Sequence, residues 1–306
     1  MGGSNGERLL ILSRKGFDSS FGGRPSPILP DGRMVSLPIP EHPSPVSFGE
    51  CLIDPDTTVA SLLATLGVLD VKLSRGGRIS RLPLTPQLGT HLDPDLRREN
   101  RAVRVPEWRP MFGQVGAAQR HLANCGVGPG DIFLFFGWFA HTQIDGAGRI
   151  RYVRGDRGFH AICGWMEIAE ALPAEQFAAK NPWAWQQHPH LQSSMPEHYT
   201  HNTIYAAAVA SSGVPGVPGA AAFRYSHKCR LSKPGCSRTV WSLPACFHPD
   251  NTKSPLTYHG SRERWSTAQA DRVTLQAVDK GQEFVVPVNQ GIGDWLNDLL
   301  VTASTW

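Results

Sequence analysis

The sequence concentrates groups that move protons, hold cations or grip anions in a few short stretches. Thr90-His91-Leu92-Asp93-Pro94-Asp95 sets one imidazole and two carboxylates within five residues. Side chains alternate along an extended segment, so His91, Asp93 and Asp95 are expected on one side. Three such groups repel unless a cation, an arginine or a shared proton relieves them. That chemistry suits a divalent metal, a ribose diol, or a general base beside an orienting acid. Arg97, Arg98, Arg101 and Arg104 follow closely. They either neutralise the aspartates or form a phosphate face.

A second stretch is Arg8–Pro30, where the apolar run Leu9–Leu12 predicts one buried strand. The strand ends at Ser13-Arg14-Lys15-Gly16 and leads into Asp18, Ser19, Ser20 and Gly22-Gly23-Arg24. A strand holds such a loop rigid, and its glycines let backbone approach a ligand. Asp18 is therefore a catalytic candidate, while Arg14, Lys15, Ser19, Ser20 and Arg24 are substrate-binding candidates. No GxxxxGK[ST] phosphate loop is present.

The third stretch, 181–203, carries His188-Pro189-His190, then His198 and His201, beside Trp183 and Trp185. His188 and His190 fall on one side of an extended segment and, with His91 and Asp93, make a candidate zinc or iron ligand set. HExxH and CxxC are both missing, and Pro189 and Pro196 exclude one continuous helix. The same stretch would equally serve substrate contact through stacked aromatics and His–phosphate bonds. Two further polar residues stand out. Gln114 lies near the apolar stripe of an expected helix and is a substrate-binding candidate. His160 lies in a strand that reads as buried and is a candidate for proton transfer, with Cys163 on the opposite face.

The elements that must position these groups are short and numerous, since 25 Pro and 31 Gly impose many turns. Strands are expected around Ile28–Ile39 (a hairpin at Asp31-Gly32), at Asp131–Phe139 and Gly158–Glu170, and at Gly281–Val286. Helices are expected at 59–66 with Asp56 or Thr57 as cap, at Trp108–Leu122, at Ser261–Ala270 and at Asp294–Ala303. Residues 211–221, with GVPGVPG, read as a flexible loop. The pattern predicts one large α+β domain over 1–306, its sheet mixed or mostly antiparallel.

Composition narrows the classes. With 41% hydrophobic and 18% charged residues the chain is globular rather than disordered. A net charge of +4 is compatible with an anionic ligand and demonstrates none. No run of 18 apolar residues suggests a membrane span, and the N-terminus lacks a charged-then-apolar signal region, so a cytoplasmic location is expected. The six cysteines form no CxxC and read as reduced, mostly buried residues.

The Gly-Asp turn, strand, hairpin and strand over 105–172 resemble the barrel core of PUA-like domains, which bind nucleic acids and modified bases. More extensively, the chain resembles the nucleotide-modification-associated domain 3 family. The motifs are LSRKGFDSSFGGRPSPILPDG, THLDPDL, FGQVGAAQRHL, GDIFLFFGWF, FHAICGWMEI, HPH with NTIY, and GQEFVV, in order from residue 8 to 286. The resemblance implies an α+β domain from bacterial and phage clusters that modify bases or nucleotides. Asp18, His91, Asp93, Asp95, Gln114 and His160 are the polar positions it implies are shared. Three functions remain open on the residues. One is an enzyme acting on a nucleotide, a base or a related small molecule. Another is a His/Asp-ligated non-haem iron or zinc enzyme of a biosynthetic cluster. The last is a PUA-like module reading modified nucleic acid through Trp138, Trp165 or Trp183.

Overall fold

The computed structural model describes residues 7–41, 44, 46–75, 78–191, 201–269, 271–279 and 281–302. In chain order the strands that build or support the site are β1 (Leu9–Arg14), β2 (Ser26–Ile28), β3 (Ile39–Pro40), β4 (Thr90–His91), β5 (Met111–Gln114), β6 (Ile132–Ile144), β7 (Phe159–Pro173), β8 (Thr203–Ala207) and β9 (Glu283–Pro287). The helices are α1 (Val59–Thr65), α2 (Gly116–Asn124), α3 (Ala174–Lys180) and α4 (Gln290–Thr302).

The apolar run Leu9–Leu12 becomes β1 because both faces of the sheet are covered. Leu10 and Leu12 enter one core with Trp241, Leu275 and Leu296, while Ile11 enters another with Phe112, Phe133 and Tyr205. A strand buried on both sides reads as a continuous apolar run, and each buried large side chain contributes about 1.5–3 kcal/mol. The main sheet has nine strands, with the path β9-β1-β6-β7-β8-β5. β1 and β2 run parallel to β6, and the other neighbours on the path are antiparallel. A three-stranded sheet over 240–276 and helix α4 cover one face. The architecture is α+β with a mixed sheet, as expected.

The barrel core expected over 105–172 does not form. β6 and β7 pair with each other and with β1 and β8 on their far sides, and among the described residues the end strands of the path, β9 and β5, do not pair, so the sheet stays open. The single helix expected over 108–122 also splits. Met111–Gln114 is wholly buried and pairs with β8, so it is strand; the helix starts only at Gly116, whose φ is +61°. Likewise, of the helix expected over 261–270, the described residues 261–269 hold only a helical turn at Arg262–Arg264 before Trp265 enters a strand opposite Leu275. The cap of α1 is Thr58, reciprocally bonded to Ser61. The Gly-Pro stretch after Ala210 is tied down: Val214 is buried and the Ser212 N–H donates to Glu167. The six cysteines are free, and among the described residues no helix is long and apolar enough to cross a membrane.

Two histidines in the core must stay neutral. The Trp241 indole N–H donates to His160 Nδ1 at 3.1 Å, and the Val278 N–H donates to His259 Nε2 at 3.2 Å. Burial, reinforced by Arg14 and Arg238, pushes the His160 imidazolium down to about 3. Burial outweighs a bond to the Thr257 carbonyl and brings His259 down to about 4. Both values lie below the unfolded value of about 6.5, so the unfolded chain takes up protons that the fold refuses as pH falls. Stability should therefore decline from about pH 6.5 towards 4, by up to about 1.4 kcal/mol per pH unit for each histidine. Urea unfolding at several pH values checks this. The His259→Gln variant, weaker at neutral pH, should show a shallower decline, and an unchanged slope would contradict the assignment.

Candidate metal centre

Antiparallel pairing of β3 with β4 sets Ile39 opposite His91 and brings Glu41 alongside the imidazole. His91 Nδ1 lies 3.0 Å from Glu41 Oε2. Since an ionised carboxylate only accepts, Nδ1 carries a proton, and in the neutral ring Nε2 keeps its lone pair. The turn Pro189–Leu191 brings in His190, whose Nδ1 lies 2.9 Å from Asn202 Oδ1. The Asn202 amide is oriented because its Nδ2 donates to the His190 carbonyl at 2.7 Å. His190 Nδ1 must then donate to Asn202, which leaves its Nε2 bare as well.

Asp93 completes the cluster. Its Oδ1 accepts from the Gly113 N–H at 2.9 Å and faces His188 Nε2 at 3.1 Å. His188 Nδ1 accepts the His190 N–H, so the His188 proton is on Nε2 and points at Asp93. Oδ2 is left facing the other two imidazoles. It stands 3.6 Å from each Nε2, and the two Nε2 atoms are 3.1 Å apart. A tetrahedral zinc with bonds of about 2.0–2.1 Å spaces its donors roughly 3.3–3.4 Å apart, so the trio fits a single ion. Glu41, Asn202 and His188 hydrogen-bond the atoms of the trio that face away from the ion's place, as partners that orient metal ligands do.

Without an ion the charges settle as follows. Burial alone would lower His91, but its bonds to Asp93 and Glu41 outweigh that and raise it to about 9. Burial opposes ionisation of Asp93, yet the bonds from His188 and His91 hold it well below the usual carboxylate range. Burial, with repulsion from His91 and His188, brings His190 down to about 3 against the pull of Asp93. One positive charge thus gathers at the trio.

The open side of the trio faces a cavity of about 420 Å³, walled by Arg14, Lys15, Asp18 and Gln114 among others. Lys15 is held by Glu283 at 2.9 Å and lies 4.2 Å from the Phe112 ring centre. Gln114 donates to the same Glu283 oxygen at 2.6 Å and accepts the Val115 N–H, so its side chain braces the wall. Ser19, Ser20 and His160 line an adjoining cavity, and Arg24 lines neither.

Asp95 parts company with the cluster. The Asp93–Pro94 peptide is cis, and the Asp95 backbone then bridges to Met111. Its carboxylate turns to Arg104, with both side chains buried and Nη2 2.7 Å from either oxygen. Even so, burial holds the Asp95 carboxyl above its ordinary range. Strict alternation failed here because a residue in a bridge and a residue in a turn do not share one face. His188 and His190 do point the same way, through a helical turn and not an extended segment. His201 contacts Arg120, away from the trio, and His198 lies outside the described residues. Trp165 is fully buried and cannot stack on a base.

Sequence reasoning missed Glu41, Asn202, Gly113 and Glu283. An acid within the apolar run of GQEFVV was a usable signal for Glu283, because acids are seldom buried unpaired. The others carry none, as their roles arise from pairing between distant strands.

These features define an α+β domain with a His/Asp cluster at the edge of a mixed sheet. The chain belongs to the nucleotide modification associated domain 3 family, whose model matches residues 9–287, a span that includes every residue of the trio. No curated protein and no solved structure matches it.

Two substitutions separate the two aspartates' surroundings. A Cβ on Gly113 would come within 2.3 Å of His190 Cγ. Gly113→Ala should cost about 1–3 kcal/mol and shift the His190 imidazole resonances in NMR. Arg104→Met should cost roughly 3–5 kcal/mol by stranding the buried Asp95 carboxylate, while the resonances of His91 and His190 stay in place. The reverse pattern would refute this division.

Proposed function

We propose that the chain is an enzyme that modifies a nucleotide or nucleic-acid base at a divalent iron or zinc ion held by His91, Asp93 and His190. One observation carries the reading. Two imidazole Nε2 atoms and one carboxylate oxygen converge while both Nδ1 protons are committed elsewhere. Two imidazole lone pairs and a carboxylate oxygen converging at the wall of a cavity suit a cation, which takes the place of the second proton His91 otherwise carries. Three protein donors with a cavity beyond them leave coordination positions open, the pattern of catalytic rather than structural sites. Zinc bound there would activate water or polarise a substrate oxygen, and ferrous iron would support oxygen chemistry.

The chain's own residues divide the remaining work. Glu41, Asn202 and His188 orient the ligands, and the Gly113 N–H fixes Asp93. Lys15 supplies a positive charge in the cavity wall, anchored by Glu283. Asp18 stands at the wall as an acceptor for substrate hydroxyl or amino groups. Membership of the family supports a nucleotide or nucleic-acid substrate. The PUA-like reading loses its barrel with the open sheet, and one of its three stacking candidates with the buried Trp165. The same convergence favours one second reading, a metal-free acid–base centre in which His91 carries the proton.

Elemental analysis of protein purified anaerobically without a polyhistidine tag distinguishes the two. Near-stoichiometric iron or zinc is expected in the wild type, with loss of the ion in His190→Ala and Asp93→Asn. A wild type that takes up neither metal, even after incubation with Fe(II) or Zn(II), overturns the metal reading and leaves the protonated centre.

A further inference from the structure

A second cavity, of about 370 Å³, adjoins the first and shares Arg14, Lys15, Asp18 and Asp279 with it. Its distinctive lining is His160, Trp138 and Arg238, supplied by β6, β7 and the segment before the three-stranded sheet. Three side chains there carry N–H groups without protein partners among the described residues. Trp241 donates to His160 Nδ1, so the neutral ring carries its proton on Nε2, for which the described residues provide no acceptor. His160 is 5% exposed and lines the cavity, so most of its ring is enclosed by protein. Arg14 gives both Nη groups to the Val278 and Asp279 carbonyls, and its buried Nε has no partner. Arg238 lies 4.4 Å over the Trp138 ring and makes no hydrogen bond or ion pair among the described residues. Donors that face a cavity and have no protein acceptor are free to meet a ligand that only accepts.

We infer that this second cavity is the phosphate subsite of the nucleotide site. Arg14, Arg238 and the Nε2–H of His160 grip a phosphate group, and the nucleoside extends past Lys15 and Asp18 into the cavity of the metal centre. The assignment rests on the nucleotide reading above. Guanidinium groups and a neutral imidazole N–H match phosphate oxygens, which only accept. Arg14 and Arg238 also disfavour protonation of His160, and an anion between the two guanidiniums relieves their mutual repulsion. The carboxylates of Asp18 and Asp279 line the same space and act on Arg14. Asp18 is held by the Ser20 and Phe21 N–H groups on Oδ1, at the junction of the two cavities. A carboxylate at that junction suits ribose hydroxyls between a phosphate at one end and a base at the other. In this arrangement His160 is a binding residue that donates one hydrogen bond, and it does not move a proton.

Calorimetric titration at low ionic strength tests the subsite with inorganic phosphate, the common nucleoside 5′-monophosphates, the matching nucleosides, and a short single-stranded oligonucleotide. Wild-type protein should bind at least one phosphate-bearing probe, more tightly than the matching nucleoside. The Arg238→Gln variant should weaken that binding about tenfold or more while leaving nucleoside binding unchanged. A monophosphate preference identifies a free nucleotide as the source of the phosphate, and an oligonucleotide preference identifies a polynucleotide strand. The His190→Ala variant should keep phosphate affinity whatever its metal content, so failure of the metal reading is seen separately. Inorganic phosphate binding that responds to Arg238→Gln upholds the subsite even where no nucleoside binds. If no phosphate-bearing probe binds, or if Arg238→Gln leaves their affinities unchanged, the assignment is overturned.

Discussion

The site depends on one electrostatic constraint, the convergence of two imidazole nitrogens and a carboxylate oxygen at the wall of a cavity. As neutral rings, His91 and His190 cannot donate to each other across 3.1 Å, because Glu41 and Asn202 hold their Nδ1 protons; the trio needs either a second proton on His91 or a cation. Asp93 cannot donate at all, since its carboxyl is held in the ionised form. A cation at the centre satisfies every member at once, and the surrounding hydrogen bonds make sense as devices that keep the lone pairs aimed there. The main-chain arrangement follows from the same need. Gly113 lacks a side chain because the His190 ring occupies that space, and its N–H takes the Asp93 oxygen that does not face the trio.

Asp93 and Asp95 show how surroundings divide two chemically identical groups. Asp95 is buried against Arg104, which in turn lies 4.5 Å from the Trp108 ring centre, and the pair braces the loop behind the cluster. Such a pair contributes little net stability over an apolar contact but is costly to break from one side. Asp93, two residues away, collects histidines instead and keeps one oxygen directed at the trio. Glu283 plays the bracing part on the opposite wall. It is almost wholly buried, and one of its oxygens holds both Lys15 and Gln114. The cavity is thus framed by acids that hold cations and amides in position, while Asp93 at the trio and Asp18 at the junction present acceptors inward.

The loop after β1 ties the two cavities together. Arg14 and Lys15 lie where the strand ends, and Asp18 is pinned by two backbone N–H groups of its own turn. β1 is central to the sheet and buried on both faces, so the loop leaves a rigid support at a set angle. This rigidity costs the chain its freedom there and offers ligands a preformed wall.

The sequence by itself determined the fold class, the buried strands β1, β6 and β7, helices α1 and α4, the family, and the residue types around which a site would form. Local physics suffices for these: an apolar run of strand length, an amphipathic period, and an unusual density of His and Asp beside proline and glycine. His91, Asp93 and the His188/His190 pair were legible as metal-ligand types, although nothing local said that His188 would stand behind Asp93 and His190 beside it. Only the tertiary structure decided that Asp95 turns to Arg104, that Met111–Gln114 is strand and not helix, and that Glu41, Asn202 and Glu283 join the site. The reason is the same in each case. Glu41 and His91 are 50 residues apart and Gln114 and Glu283 169, and even Asp95 and Arg104, nine apart, or His190 and Asn202, twelve apart, meet only through the path the backbone takes between them. Periodicity and spacing carry information about neighbours along the chain, and those partners are neighbours only in space.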